Sequence, residues 1–289
     1  MTPGHFEYHA PNSLADVIVL LKQFGDDGKI LAGGHSLLPM MKLRIASPGH
    51  LIDLRKVSGL TDVSERKGIV HIGAMVTEAQ LMRSDVVRAH CPLVAEAAGV
   101  IADPQVRNCG TLGGDLAHGD PGNDQPAVML ALDASIVLHG PAGERIVAAR
   151  DFFLGTYQTA LAADEVLTGV RIPVATPQTG QAYVKLKRKV GDFATAAAAV
   201  SLRLKGPACQ SVAIALTNAG PVSMRVETAE KVLIGQVVTE DLIGKAATLA
   251  MAACDPAVDL RGDAEYKTHM AGEMVKRALR CALQRAKGG

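Results

Sequence analysis

The sequence predicts an α+β protein of two domains, and three observations predict it. The first part of the chain interleaves short apolar strands with amphipathic helices, whereas the last part reads as successive strands and then successive helices. A stretch rich in turn residues, Ala175-Thr176-Pro177-Gln178-Thr179-Gly180, separates the two regimes. The 289 residues suffice for two domains, and a hydrophobic fraction of 48% fills a core even with aromatics at 3% and no Trp.

In order along the chain, Ser13 to Phe24 is expected to be a helix. Leu14, Val17, Ile18, Leu21 and Phe24 fall on one face, and Ser13-x-x-Asp16 has the spacing of a capping box. Lys29 to Ala32 is a short strand, as are Leu51 to Leu54 and Ile69 to Val76. Thr77 to Met82 starts a helix, and Pro92 to Ile101 is another with an Ala-rich face. Ala102 to Asp124, rich in Gly, Asp, Asn and Pro, is expected to be a long loop, which is uncommon in a compact domain unless functional. Pro126 to Leu132 and Ser135 to Leu138 return to regular structure, and Glu165 to Val174 is a closing strand. Past the linker, Ala182 to Arg188, Thr195 to Leu204 and Ser211 to Thr217 make a small antiparallel sheet. Alternation of Val212, Ile214 and Leu216 marks its last strand as half-buried. Val226 to Ile234, Thr239 to Ala253 and Tyr266 to Leu283 are helices, so the domains span 1–177 and 178–289.

Composition removes several classes of function. A formal net charge of +1, from 30 basic and 29 acidic residues, gives no long-range field for nucleic acid or an anionic membrane. No stretch approaches a membrane span, and Met1 to Glu7 lacks the pattern of a secretory signal, so a cytoplasmic protein is expected. Cys91, Cys109, Cys209, Cys254 and Cys281 show no C-x-x-C spacing, which argues against disulfides, zinc and an iron–sulfur cluster in this chain.

The chemistry gathers at two glycine pairs, Ala32-Gly33-Gly34-His35-Ser36 and Thr111-Leu112-Gly113-Gly114-Asp115. Glycine reaches φ > 0 without a Cβ penalty, so successive N–H groups can converge on an anion in a nest. Two nests suit a diphosphate gripped from both sides, which makes a dinucleotide the expected ligand. Neither G-x-G-x-x-G nor G-x-x-x-x-G-K-[ST] is present. Ser36 and Thr111 can donate hydroxyls to phosphate or bond their own turns. Asp115 and Asp124 suit ribose or ribityl hydroxyls, and Asp120 to Asp124 equally suits a plain turn. His35 and His118 have no partner at metal spacing, so hydrogen bonding within the loops is expected of them. The basic run Lys185-Leu186-Lys187-Arg188-Lys189 fits a solvated strand or a wall facing an anionic cofactor. Phe193, followed by the small residues Ala194 to Ala199, can cover a flat ring or pack in the core. No nucleophile–base pair stands out, as expected where a redox cofactor carries the chemistry.

Together with Ile101-Ala102-Asp103-Pro104-Gln105-Val106-Arg107-Asn108 and Gly119-Asp120-Pro121-Gly122-Asn123-Asp124, the two glycine motifs resemble those of the FAD-binding medium subunits of the molybdenum hydroxylases, in the branch of the aerobic carbon monoxide dehydrogenases. Gly191-Asp192-Phe193-Ala194-Thr195, Leu216-Thr217-Asn218 and Asp259-Leu260-Arg261-Gly262-Asp263 extend the resemblance over essentially the whole chain; Leu112 stands where the family more often has Ile.

The resemblance implies a two-lobed FAD-binding domain of the vanillyl-alcohol-oxidase (PCMH) type, with lobes of about 1–57 and 58–177, and then a small C-terminal domain of antiparallel sheet plus helices. It implies noncovalent FAD, its diphosphate wrapped by Ile30, Leu31, Ala32, Gly33, Gly34, His35, Ser36 and Leu37 and by Gly110, Thr111, Gly113, Gly114 and Asp115. Asp124 would contact ribose, Ile101 would line the cofactor, and Lys185 and Phe193 would approach the isoalloxazine edge. Ala102, Asn108 and His118 complete the set. Partners implied are a large subunit with Mo-pterin, and copper in the carbon monoxide enzymes, and a small subunit with two [2Fe–2S] clusters, as a dimer of heterotrimers. Electrons would pass from the clusters to FAD and on to an external acceptor such as a quinone, placing the complex in the cytoplasm or peripherally at the inner face of the membrane. The alternatives are the medium subunit of a xanthine or N-heterocycle dehydrogenase, a free-standing FAD oxidoreductase, or a nucleotide-binding module without redox work.

Overall fold

Three sheets and a two-stranded hairpin organise the chain, and the computed structural model describes residues 2–288. The first sheet belongs to a small lobe of β1 (Glu7–His9), α1 (Leu14–Phe24), β2 (Gly28–Leu31), α2 (Leu37–Lys42) and β3 (His50–Asp53). Its order is β1-β3-β2 and every pair is parallel, so each strand needs a crossover, which α1 and α2 provide. The apolar face of α1 buries Val17 and Leu21 against Ile52 and Leu54. Ser13 caps α1 by accepting from the Asp16 N–H at 3.1 Å. Its hydroxyl also donates to the Asp16 carboxylate at 2.7 Å, so the reciprocal arm of the expected box is not made there. A complete capping box occurs instead between Thr77 and Gln80.

The second lobe holds β4 (Val63–Arg66), β5 (Ile69–Gly73), α3 (Glu78–Arg83), α4 (Asp85–His90), α5 (Pro92–Val100), α6 (Pro104–Cys109), α7 (Leu112–His118), α8 (Gln125–Ala131), β6 (Ser135–Gly140), β7 (Gly143–Ala148), β8 (Phe153–Gly155), β9 (Gln158–Thr159) and β10 (Val166–Pro173). Its five-stranded sheet runs β4-β5-β10-β6-β7, antiparallel throughout. The loop expected from Ala102 to Asp124 contains α6 and α7. The residues that suggested a loop are helix ends: Asp103 accepts from the Val106 N–H (3.0 Å), Pro104 occupies the first turn of α6, and Gly119 ends α7 at φ +65°.

The remaining elements are β11 (Thr179–Leu186), β12 (Ala196–Lys205), β13 (Ala208–Thr217), β14 (Met224–Arg225), α9 (Glu227–Lys231), α10 (Glu240–Ala252) and α11 (Ala264–Ala286). The four strands form an antiparallel sheet in sequence order. Thr179 and Gly180, expected in a linker, already belong to β11. Gly180 is there for close approach, since a Cβ would run into the Ala282 carbonyl of α11. The sheet is buried on both faces. Val200, Leu202, Ile214 and Leu216 pack on Ala271, Val275 and Leu279 of α11, while Tyr183, Ala197, Ala199, Ala213 and Ala215 join the core of the second lobe. The half-buried pattern expected for β13 is thus overturned. Its alanine side faces no solvent; small side chains let α8 lie close against the sheet.

Candidate functional site

A cleft of about 930 Å³ opens between the two lobes and is walled on a third side by β11 and the loop at Gly191–Phe193. That volume lies within the range of ligand pockets, about 300–1,000 Å³. Of the residues assigned to a cofactor from sequence, all line this cleft except Leu31 and Asn108. Strand alternation turns Leu31 away from Ile30 into a core with Met41 and Leu51, and Asn108 is exposed on α6.

The first glycine pair has the expected open geometry. Gly34 sits at φ +77°, and among the described residues no protein acceptor takes the N–H groups of Gly33, Gly34, His35, Ser36 or Leu37. Ser36 makes no capping bond to α2, so its hydroxyl stays available as well. Gly33 cannot carry a side chain because its Cβ would meet the Cys109 carbonyl.

The second pair works differently from the nest expected of it. Leu112 N–H donates to Val76 O (3.0 Å), Gly113 N–H to Ala74 O (2.8 Å) and Gly114 N–H to Thr111 Oγ1 (3.2 Å). Neither Gly113 nor Gly114 has positive φ. A Cβ on Gly113 would stand 2.5 Å from the Ala74 Cβ, so this pair lets α7 pack against the strand exit at Ala74 to Val76. Thr111 also forms an antiparallel bridge with Thr77, and Glu78 N–H donates to Gly110 O (3.0 Å), which sets the start of α3 beside the start of α7.

Below these turns lies a buried polar cluster. Lys185 Nζ meets Asp124 Oδ2 at 2.6 Å with both side chains nearly inaccessible, and Tyr183 donates to Asp124 Oδ1 at 2.5 Å while resting 3.2 Å from Thr217 Oγ1. Burial pushes the Asp124 carboxyl up, against the pull of Lys185 and Tyr183. Glu78, 2% exposed, accepts from Gln125 Nε2 at 2.9 Å through one oxygen and has no partner on the other. Burial, with repulsion from Asp124 behind it, pushes the Glu78 carboxyl up to about 8. Asp115 lies well above its ordinary range, through burial and then repulsion from Glu78 and Asp124. It accepts from the Gln125 N–H at 3.2 Å. At neutral pH Glu78 therefore holds its proton, beside the buried contact between Lys185 and Asp124. Lys187, lowered by burial and by Lys185, donates to Val100 O at 2.9 Å.

Several expectations for single residues change. Lys185 is no solvated strand residue. Neither the His35 nor the His118 imidazole has a hydrogen-bond partner among the described residues; His118 packs 5.1 Å from the Tyr157 ring, and burial lowers its pKa. Asp120 makes the expected turn by accepting from Gly122 N–H at 2.8 Å, whereas Asp124 is buried beyond it. Phe193 is not core: 42% exposed, it stands at the cleft with the Arg261 guanidinium 5.3 Å from its ring centroid, and Arg261 in turn holds Asp192 at 3.1 Å. Ala102 adopts φ +39°, strained for a residue with a Cβ, in the same wall.

Glu78, Gln125, Tyr183 and Thr217 were not found from sequence. For Tyr183 a signal existed: period two along β11 puts Tyr183 and Lys185 on one face. For Glu78 there was none, since tertiary packing alone decides that an acid in a first helical turn is buried.

A dinucleotide flavin fits this cleft. The partnerless N–H groups at Gly33 to Leu37 suit a diphosphate, and the buried carboxyls nearby suit hydroxyls. Comparison with known proteins agrees. Residues 4–175 match the model of the FAD binding domain in molybdopterin dehydrogenase, and residues 181–282 that of the CO dehydrogenase flavoprotein C-terminal domain. The chain is 54% identical to the carbon monoxide dehydrogenase medium chain of Hydrogenophaga pseudoflava, over 99% of each chain. The solved structure of carbon monoxide dehydrogenase from that organism superposes with a TM-score of 0.97 at 55% identity, covering 99% of each chain. The carbon monoxide dehydrogenase medium chain of Afipia carboxidovorans is 50% identical over 99% of this chain and 100% of the relative. Quinoline 2-oxidoreductase of Pseudomonas putida 86 superposes with a TM-score of 0.94 at 36% identity, again over 99% of each.

Proposed function

The chain belongs to the molybdopterin dehydrogenase FAD-binding family, and from that membership we propose that it is the FAD-bearing medium chain of a carbon monoxide dehydrogenase. The observation that carries the proposal is the cleft itself, with five consecutive N–H groups free of protein acceptors at Gly33 to Leu37. In this role Gly33 to Leu37 hold the diphosphate, with Ser36 adding a hydroxyl donor. Asp115 and Asp124 face ribose and ribityl hydroxyls, and Lys185 and Tyr183 hold the Asp124 carboxyl in place. Ile101, Ala102 and His118 line the walls, and Phe193 stands where it can flank a flat ring. Bound FAD supplies the junction between one-electron carriers and a two-electron acceptor.

In a medium chain of this kind the oxidation of carbon monoxide belongs to a large subunit with Mo-pterin and copper. A small subunit with two [2Fe–2S] clusters would relay the electrons, in a dimer of heterotrimers that reduces a quinone. No helix among the described residues is long and apolar enough to cross a membrane; the reading places the complex in the cytoplasm, meeting a membrane quinone pool peripherally.

The test is the absorption spectrum of the native complex. A flavin band bleached by carbon monoxide is expected. A flavin bleached only by an N-heterocycle would move the chain to another branch of the family, and absence of flavin would remove the cofactor assignment.

A further inference from the structure

Away from the cleft, the outer edge of the first sheet gathers three metal-ligating side chains. Glu7 and His9 lie two residues apart on β1 and so project from one face, and parallel pairing sets His50 of β3 opposite Glu7. His9 Nε2 lies 3.1 Å from His50 Nδ1, Glu7 Oε2 lies 3.5 Å from His50 Nδ1, and Glu7 Oε2 lies 4.0 Å from His9 Nε2. The nearest point equidistant from these three atoms lies in their plane, about 2.1 Å from each, close to the bond length of zinc to imidazole nitrogen or carboxylate oxygen.

The rings are held in place. Phe24 stacks on His50 with centroids 3.7 Å apart and planes 6° from parallel, and it flanks His9 at 4.9 Å. The other nitrogen of His50 faces the Asp27 carboxylate at 3.9 Å, and Asp27 is itself fixed by the Gly49 N–H at 2.7 Å. At that distance Asp27 is an electrostatic neighbour of His50 rather than a hydrogen-bond partner, and the stacked Phe24 ring sets the orientation of the imidazole. Glu7 is exposed, which leaves the remaining coordination positions to water, and none of the three residues lines the cleft.

We propose that Glu7, His9 and His50 form a binding site for a divalent zinc-class ion, tying the edge strand β1 to β3. The competing account of the same distances is a histidine–histidine hydrogen bond beside an acid, which needs no metal.

The full chain, stripped with chelator, is titrated with Zn²⁺ alone in competition with a chromophoric chelator. One ion per chain, bound in the micromolar range or tighter, is expected. Glu7→Ala removes an exposed ligand without touching the core and should weaken binding at least about tenfold. X-ray absorption at the zinc edge should show two imidazoles with oxygen and no sulfur. Absence of stoichiometric binding, affinity unchanged in Glu7→Ala, or a sulfur shell that moves the ion to a cysteine such as Cys109 would each overturn the assignment.

Discussion

Glu78→Gln tests the electrostatics of the cleft in the isolated chain. Unfolded Glu78 ionises near its ordinary value of 4.5, whereas in the folded chain burial and Asp124 hold its proton to about 8. Between these values the folded state binds one more proton than the unfolded state, so stability falls as pH rises, and the loss levels off above 8. At 1.36 kcal/mol per pH unit, wild type loses about 3 kcal/mol from this group by pH 7 and about 4 kcal/mol by pH 8. These are ceilings, because local relaxation or water entering the cleft would relieve part of the cost. The amide introduced by the substitution keeps an acceptor for Gln125 Nε2 and cannot ionise. Urea denaturation at pH 5, 6, 7 and 8 should therefore give near-equal stabilities at pH 5 and a growing advantage for the variant, about 1–3 kcal/mol at pH 7. Parallel pH profiles for the two proteins, or a variant less stable than wild type at pH 8, would refute the neutral, buried Glu78.

Three further outcomes follow from the same geometry. Lys185→Met strands the buried Asp124 carboxylate and should cost about 3–5 kcal/mol in chemical denaturation, most of it recovered when Asp124→Asn is added. Gly33→Ala forces its methyl into the Cys109 carbonyl, and flavin fluorescence titration should show uptake lost or weakened at least about tenfold. Brief alkylation of the native chain, mapped by mass spectrometry, should modify exposed Cys109 first; burial pushes the thiols of Cys91 and Cys209 up to about 12 and about 11, and early labelling of either would contradict their packing.

The α+β class and the order of elements were legible because hydrophobic periodicity is a local signal, and α1, α5, α10, α11, β10, β12 and β13 all carry it. What stayed hidden was decided by more distant parts of the chain. Asp103, Pro104, Thr111 and Gly119 suggest a loop by composition, yet each terminates a short helix. Only tertiary packing makes those helices worth forming: α7 buries Leu112, Gly113 and Leu116, and α6 rests against α3. The alternation in β13 identified the face toward α11 correctly. It could not reveal that the alanine face also had a partner, since Ala is equally at home in water and against a helix.

The two glycine pairs show why a motif can mark a site and still mislead about mechanism. At Gly33-Gly34 the missing side chains admit the Cys109 carbonyl beside Gly33 and allow φ +77° at Gly34, and the backbone donors there have no protein acceptor. At Gly113-Gly114 they let α7 approach Ala74 closely, and the donors there are already satisfied by protein. The second motif therefore acts on the first from behind. It fixes the wall carrying Gly110, Thr111 and Asp115, while Gly33 packs on the Cys109 carbonyl just ahead of Gly110. The C-terminal sheet completes the arrangement, because Tyr183 and Lys185 on β11 are what hold Asp124 in place. Arg285 of α11 ties the same sheet to α5 through Glu96 at 2.6 Å and through the Gln181 carbonyl. Replacing Arg285 by Met should therefore weaken flavin uptake in a fluorescence titration without touching either glycine pair, and unchanged uptake would show that the seam does not support the cleft.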